Sequence, residues 1–154
     1  MAPSPAFSWH GFAGLFLALM PLSVLALDFR SVAVPKAVLY DAPSAAAKKV
    51  LLLSQYYPVE IIVDLGDWLK VRDAQGTISW VEAKQLSSKR TVLVSANKAE
   101  LRQAPDANST LVANLEKDVA LEIIDMKLNN GWLKVKHRDG ATGYILISST
   151  WGFN

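Results

Sequence analysis

The chain has 154 residues, enough for one ordinary domain or two very small ones. Its 16 Lys+Arg against 14 Asp+Glu leave a net charge of +2, too mild for the clustered excess that a nucleic-acid partner demands. No cysteine is present, which excludes a disulfide framework, a Cys nucleophile and a Cys-ligated zinc, and only two histidines occur, so neither a metal nor another cofactor is expected.

No Asp, Glu, Lys or Arg precedes Asp28, and Gly11 to Leu27 form an uncharged, mostly apolar run broken by Pro21. A run of that length is short for a membrane span, and Val24-Leu25-Ala26 offers short residues at the −3 and −1 positions of a cleavage site. Residues 1–26 are therefore expected to be an export signal, giving a periplasmic or secreted protein. A membrane link is expected only through that segment, if it is retained uncleaved. The signal is unusual in having no Lys or Arg between Met1 and His10.

The remainder is a tandem duplication. AVLYDAP at 37–43 matches AELRQAP at 99–105, and at the same offset Glu60-Ile61-Ile62 matches Glu122-Ile123-Ile124. After a short insertion near Leu128-Asn129-Asn130, Trp68-Leu69-Lys70-Val71 matches Trp132-Leu133-Lys134-Val135, and Trp80-Val81 matches Tyr144-Ile145. The units run over 27–88 and 89–154. Strands are predicted at Val59–Asp64 and Val119–Asp125, which are rich in β-branched residues, and in the alternating segments around Leu69 and Leu133. Ala42-Pro43 and Ala104-Pro105 mark turns, and Asp139-Gly140 signals a tight hairpin. Several short strands per unit without a helix imply an all-β pair of small barrels. The connection Ser87-Ser88-Lys89-Arg90 is too short for independent movement, and Trp151 and Phe153 are expected to fold back into the seam between the barrels.

Leu101-Arg102-Gln103-Ala104-Pro105, Glu122-Ile123-Ile124, Trp132-x-Lys134-Val135, Gly140 and Gly143-Tyr144-Ile145 together resemble the bacterial SH3-like (SH3b) domains, and the first unit repeats most of this pattern. It departs at Tyr40, where Arg is usual, and at Ser79, where Gly is usual. The resemblance implies an exported tandem SH3-like protein. It leaves function open among wall binding, enzyme targeting and assembly.

Residues two apart on a strand share a face, so Trp68, Lys70 and Arg72 line up opposite Leu69 and Val71. In the second unit Trp132, Lys134, Lys136 and Arg138 line up likewise. An aromatic plate followed by cations suits a peptidoglycan fragment or an extended peptide; the plain alternative is a solvated barrel face. Tyr40, Tyr56, Tyr57 and Trp80, with Tyr144 matching Trp80, form a second aromatic set suited to a peptide groove or to core packing. No Cys–His pair and no evident carboxylate pair marks an active site, so a non-enzymatic binding module is expected. A scaffold for an envelope protein partner, without a small ligand, is the alternative. The second unit is expected to carry the site, because Ala74 stands where it has Arg138 and its insertion is expected to lengthen the loop beside Trp132.

Overall fold

A computed structural model describes residues 1–6 and 27–153; the expected export signal lies, but for its first six residues, outside the described residues. Two seven-stranded antiparallel sheets follow one another. The first comprises β1 (Phe29–Val32), β2 (Lys36–Tyr40), β3 (Lys49–Ser54), β4 (Pro58–Asp64), β5 (Trp68–Arg72), β6 (Ile78–Glu82) and β7 (Leu86–Ser87), in spatial order β3-β2-β6-β5-β4-β1-β7. The second comprises β8 (Thr91–Val94), β9 (Lys98–Arg102), β10 (Leu111–Glu116), β11 (Ala120–Asn129), β12 (Trp132–Lys136), β13 (Thr142–Leu146) and β14 (Thr150–Trp151), in the order β10-β9-β13-β12-β11-β8-β14. One short 3-10 turn precedes the last strand of each sheet. The all-β expectation is met, and the duplication reaches the level of strand order.

The cores repeat residue for residue. Val32, Ala37, Leu39, Leu53, Val59, Leu69, Val71 and Val81 form the first. Their counterparts Val94, Ala99, Leu101, Leu115, Leu121, Leu133, Val135 and Ile145 form the second, joined by Val92 and Phe153. Alternation along β5 and β12 sends Leu69, Val71, Leu133 and Val135 inward, all fully buried. At roughly 25 cal/mol per Å² of apolar surface removed from water, these side chains hold each barrel together.

The insertion in the second unit does not lengthen a loop. It extends β11 to Asn129 and closes the β11–β12 hairpin with Asn130 and Gly131, both at positive φ (53° and 83°). Asn-Gly favours such a two-residue turn because both residues tolerate the left-handed conformation that matches strand twist. The opposite departure occurs at Asp139-Gly140. There β12 ends at Lys136, and a longer loop is closed by His137 N–H to Ala141 O (2.8 Å) and Gly140 N–H to His137 O (2.9 Å). Arg138 therefore sits on an exposed turn rather than on the strand.

The barrels meet through the connection and the C-terminal tail. Thr91 Oγ1 donates to Tyr56 O (2.7 Å), and Ser31 Oγ donates to Lys89 O (2.7 Å). Trp151 packs edge-on against Phe29 (centroids 5.3 Å apart), so it does reach the seam. Phe153 instead enters the second core. Arg90 fastens this corner, donating to the carbonyls of Gly152 (3.1 Å) and Phe153 (2.6 Å) while its guanidinium lies 5.6 Å from the Phe29 ring centre. Burial pushes the Arg90 pKa down, partly opposed by Asp28. Charge-assisted bonds to two carbonyls compensate for bringing that cation out of water.

Candidate functional site

The ten residues expected to carry the site fall into separate places. On the first barrel, Trp68, Lys70 and Arg72 do point outward, half-buried, but each has a partner within the barrel. Trp68 meets Tyr40 edge-on (5.5 Å), Lys70 Nζ lies 5.7 Å from the Trp80 ring centre, and Arg72 donates to Glu60 at 3.0 Å. Register explains the pairing: Tyr40, Trp80 and Lys70 are direct cross-strand neighbours on β2, β6 and β5. The cross-strand row in the second barrel is Arg102, Tyr144 and Lys134. Arg102 is tied to Glu100 and to Ser109 O there.

One expectation needs correction, and one open alternative is decided. Trp132 is only 7% exposed, so it offers no open indole plate. Alternation tells which side of β12 it leaves, but not how far that side is buried. Tyr57 packs against the first core, and its hydroxyl accepts Ala74 N–H (3.2 Å), which closes the loop after β5. Burial, with help from Asp73 and Asp118, raises its pKa above the usual 10, and the Ala74 bond opposes the rise.

Lys136 and Arg138 come together at a different place. With Tyr56, Ala120, Glu122 and His137 they line a cleft of about 150 Å³ between the two barrels. Tyr56 comes from the first barrel and the rest from the second. Its backbone holds a φ of 69°, in the left-handed region that a bulky side chain occupies at a cost of roughly 1–2 kcal/mol. Tyr56 N–H to Val32 O (2.9 Å) and Thr91 Oγ1 to Tyr56 O fix it there. The counterpart in the second unit is Asp118 (φ 68°), a residue type that tolerates the conformation better. The same φ at both positions shows that the turn belongs to the shared fold, and Tyr56 carries its strain because a tyrosine stands there in place of Asp.

The cleft's charges are unevenly matched. Lys89 from the connection sits 3.5 Å from Glu122 and 5.6 Å from the Tyr56 ring centre. Asp139 turns back on its own loop, with Oδ1 2.9 Å from His137 Nδ1 and accepting Ala141 N–H at 2.8 Å. Those two contacts hold the Asp139 carboxyl below its usual pKa, the Ala141 bond most of all. Among the described residues no ion pair engages Lys136 or Arg138, and no group of three or more His, Asp or Glu is placed to hold a metal ion. That Tyr56 shares one cleft with Lys136 and Arg138 is not legible in the sequence.

No curated protein matches the chain. Among the solved structures similar to it are two proteins from Trichomonas vaginalis and one from Bacillus cereus. NlpC2 from Trichomonas vaginalis shares 18% identity, with a TM-score of 0.37 over 82% of this chain and 48% of that one. NlpC1 from the same organism shares 19%, with a TM-score of 0.37 over 83% and 46%. An NlpC/P60 family protein from Bacillus cereus ATCC 10987 shares 15%, with a TM-score of 0.38 over 80% and 55%. The chain thus spans about half the length of each. Bacterial SH3 domains are commonly binding modules. The family model for the bacterial SH3 domain matches twice, at residues 33–88 and 95–152, so the chain belongs to the bacterial SH3 domain family as a tandem pair.

Proposed function

We propose that this chain is a non-enzymatic binding module of the cell envelope, holding a cell-wall fragment or an extended peptide in the cleft between its barrels. One observation carries the reading. Two cations without a carboxylate partner, Lys136 and Arg138, line the same cleft as a strained tyrosine from the other barrel. An aromatic wall beside unmatched cations favours a ligand with an apolar or sugar face and a negative charge. Export is part of the proposal, supported by the uncharged run from Gly11 to Leu27. The absence of cysteine removes Cys–His hydrolysis from this chain's repertoire.

Retention of the full chain on purified, insoluble peptidoglycan tests this reading. Wild type is expected to be retained at low salt and released as salt rises, because screening weakens exposed charge contacts. Lys136→Ser with Arg138→Ser is expected to abolish retention. Retention unaffected by either change would refute the cleft as the wall-binding surface. The scaffolding alternative has its own support in the exposed apolar side chains Ile124, Met126 and Leu128 along the projecting β11 hairpin. Capture of an envelope protein that is lost on changing those three residues, without wall binding, would favour it.

A further inference from the structure

The two copies use one charge pair differently, and the difference points to a ligand group. In the first barrel Glu60 on β4 and Arg72 on β5 bond to each other at 3.0 Å. Glu122 on β11 and Lys136 on β12 are their counterparts, also directly opposite in register. Here, however, Glu122 is engaged by Lys89 of the connection (3.5 Å), and Lys136 has no ion-pair partner among the described residues. Arg138, for which the first barrel has Ala74, adds a second unmatched cation. The connection has in effect replaced the internal counter-ion, leaving two positive charges without an ion-pair partner in the cleft that Tyr56 also lines.

Glu122 lines the same cleft but is engaged by Lys89, so Lys136 and Arg138 still repel each other unless a further anion joins them. The cleft, at about 150 Å³, is comparable to a cavity that takes a benzene-sized group and is smaller than a typical pocket of about 300 Å³ or more. It therefore suits the end of a chain. Its lining includes a flat ring, Tyr56, and a planar guanidinium fork, Arg138, and the fork matches a planar anion. Resting on the cleft reading above, we infer that the cleft receives the free terminal carboxylate of a short peptide, with Lys136 and Arg138 on its oxygens and Tyr56 against the last side chain. A wall stem peptide and a protein C-terminus share this chemistry.

The test is a titration of the isotope-labelled full chain with N-acetyl-alanyl-alanine, followed by amide resonances, using the L,L and D,D free acids and their C-terminal amides. The free acid is expected to move the signals of Tyr56, Ala120, Lys136 and Arg138, with the amide at least about tenfold weaker, equivalent to about 1.4 kcal/mol. Lys136→Ser with Arg138→Ser should remove the response to the acid. Tighter binding of the D,D acid supports the proposal with a wall source, and tighter binding of the L,L acid supports it with a protein source. Equal binding of acid and amide at the cleft overturns the carboxylate inference while leaving the cleft as a binding surface. Movement confined to Tyr40, Trp68 and Trp80 overturns both, and no movement at tens of millimolar overturns the carboxylate inference.

Discussion

Gly152→Ala tests how firmly the tail locks the two barrels. Gly152 has a φ of +109°, and a Cβ built there meets Pro58 Cβ at 3.0 Å, Pro58 Cγ at 3.1 Å and Thr91 O at 3.3 Å. Pro58 and Thr91 are both buried, so neither yields easily. Backbone strain alone costs roughly 1–2 kcal/mol, and overpacking adds roughly 1–3, for a total of about 2–5 kcal/mol. Gly140→Ala is the control, because Gly140 has a similar φ of +100° with nothing within 4 Å of the added Cβ. It should lose only the strain term. Thermal unfolding followed by near-UV circular dichroism reads the difference at roughly 3–5 °C per kcal/mol for a body of this size. Displacing Thr91 should also disturb Tyr56, whose carbonyl it holds, so ligand binding should weaken in Gly152→Ala alone. Equal unfolding shifts for the two variants would refute the tight seam.

Ser79→Ala should stabilise the protein by about 1 kcal/mol, since Ser79 Oγ is buried without a hydrogen-bond partner; a lower midpoint in urea would contradict this. Tyr57→Phe should cost about 1 kcal/mol at neutral pH through loss of the Ala74 bond, without changing ligand affinity. Because the folded pKa of Tyr57 lies above its ordinary 10, the neutral phenol's contribution is present in full below pH 10 and lost as pH rises through the folded value. The variant should therefore show a flatter decline in stability above pH 10 than wild type; an identical alkaline limb would show that Tyr57 does not govern it.

The fold was legible because its signals are local and doubled. Ala37/Ala99, Leu39/Leu101 and Leu69/Leu133 recur at fixed offsets, and strand alternation states which of them face inward. The site was only half legible. Alternation assigns Trp132 to a side of β12 but is silent on what covers that side, and the indole is buried. Lys136 and Arg138 were visible as excess charge, yet their setting depends on docking between barrels, a contact between residues far apart in sequence. Lys89 read as a linker residue, and only the folded chain brings it to Glu122 and Tyr56. The insertion was misread as a longer loop because Asn130-Gly131 makes a tighter turn than its length implies.

A double-mutant cycle between the barrels tests the shared cleft most directly. Tyr56→Asn removes the ring from the first barrel while keeping a residue that accepts the left-handed backbone, and Arg138→Ser removes a cation from the second. Peptidoglycan-fragment binding would be measured by calorimetry for wild type, both single variants and the double. If one ligand spans Tyr56 and Arg138, the two losses are non-additive by about 0.5 kcal/mol or more. Strictly additive losses, or no loss from Tyr56→Asn, would mean that the two residues do not share a ligand and that the cleft is not the site.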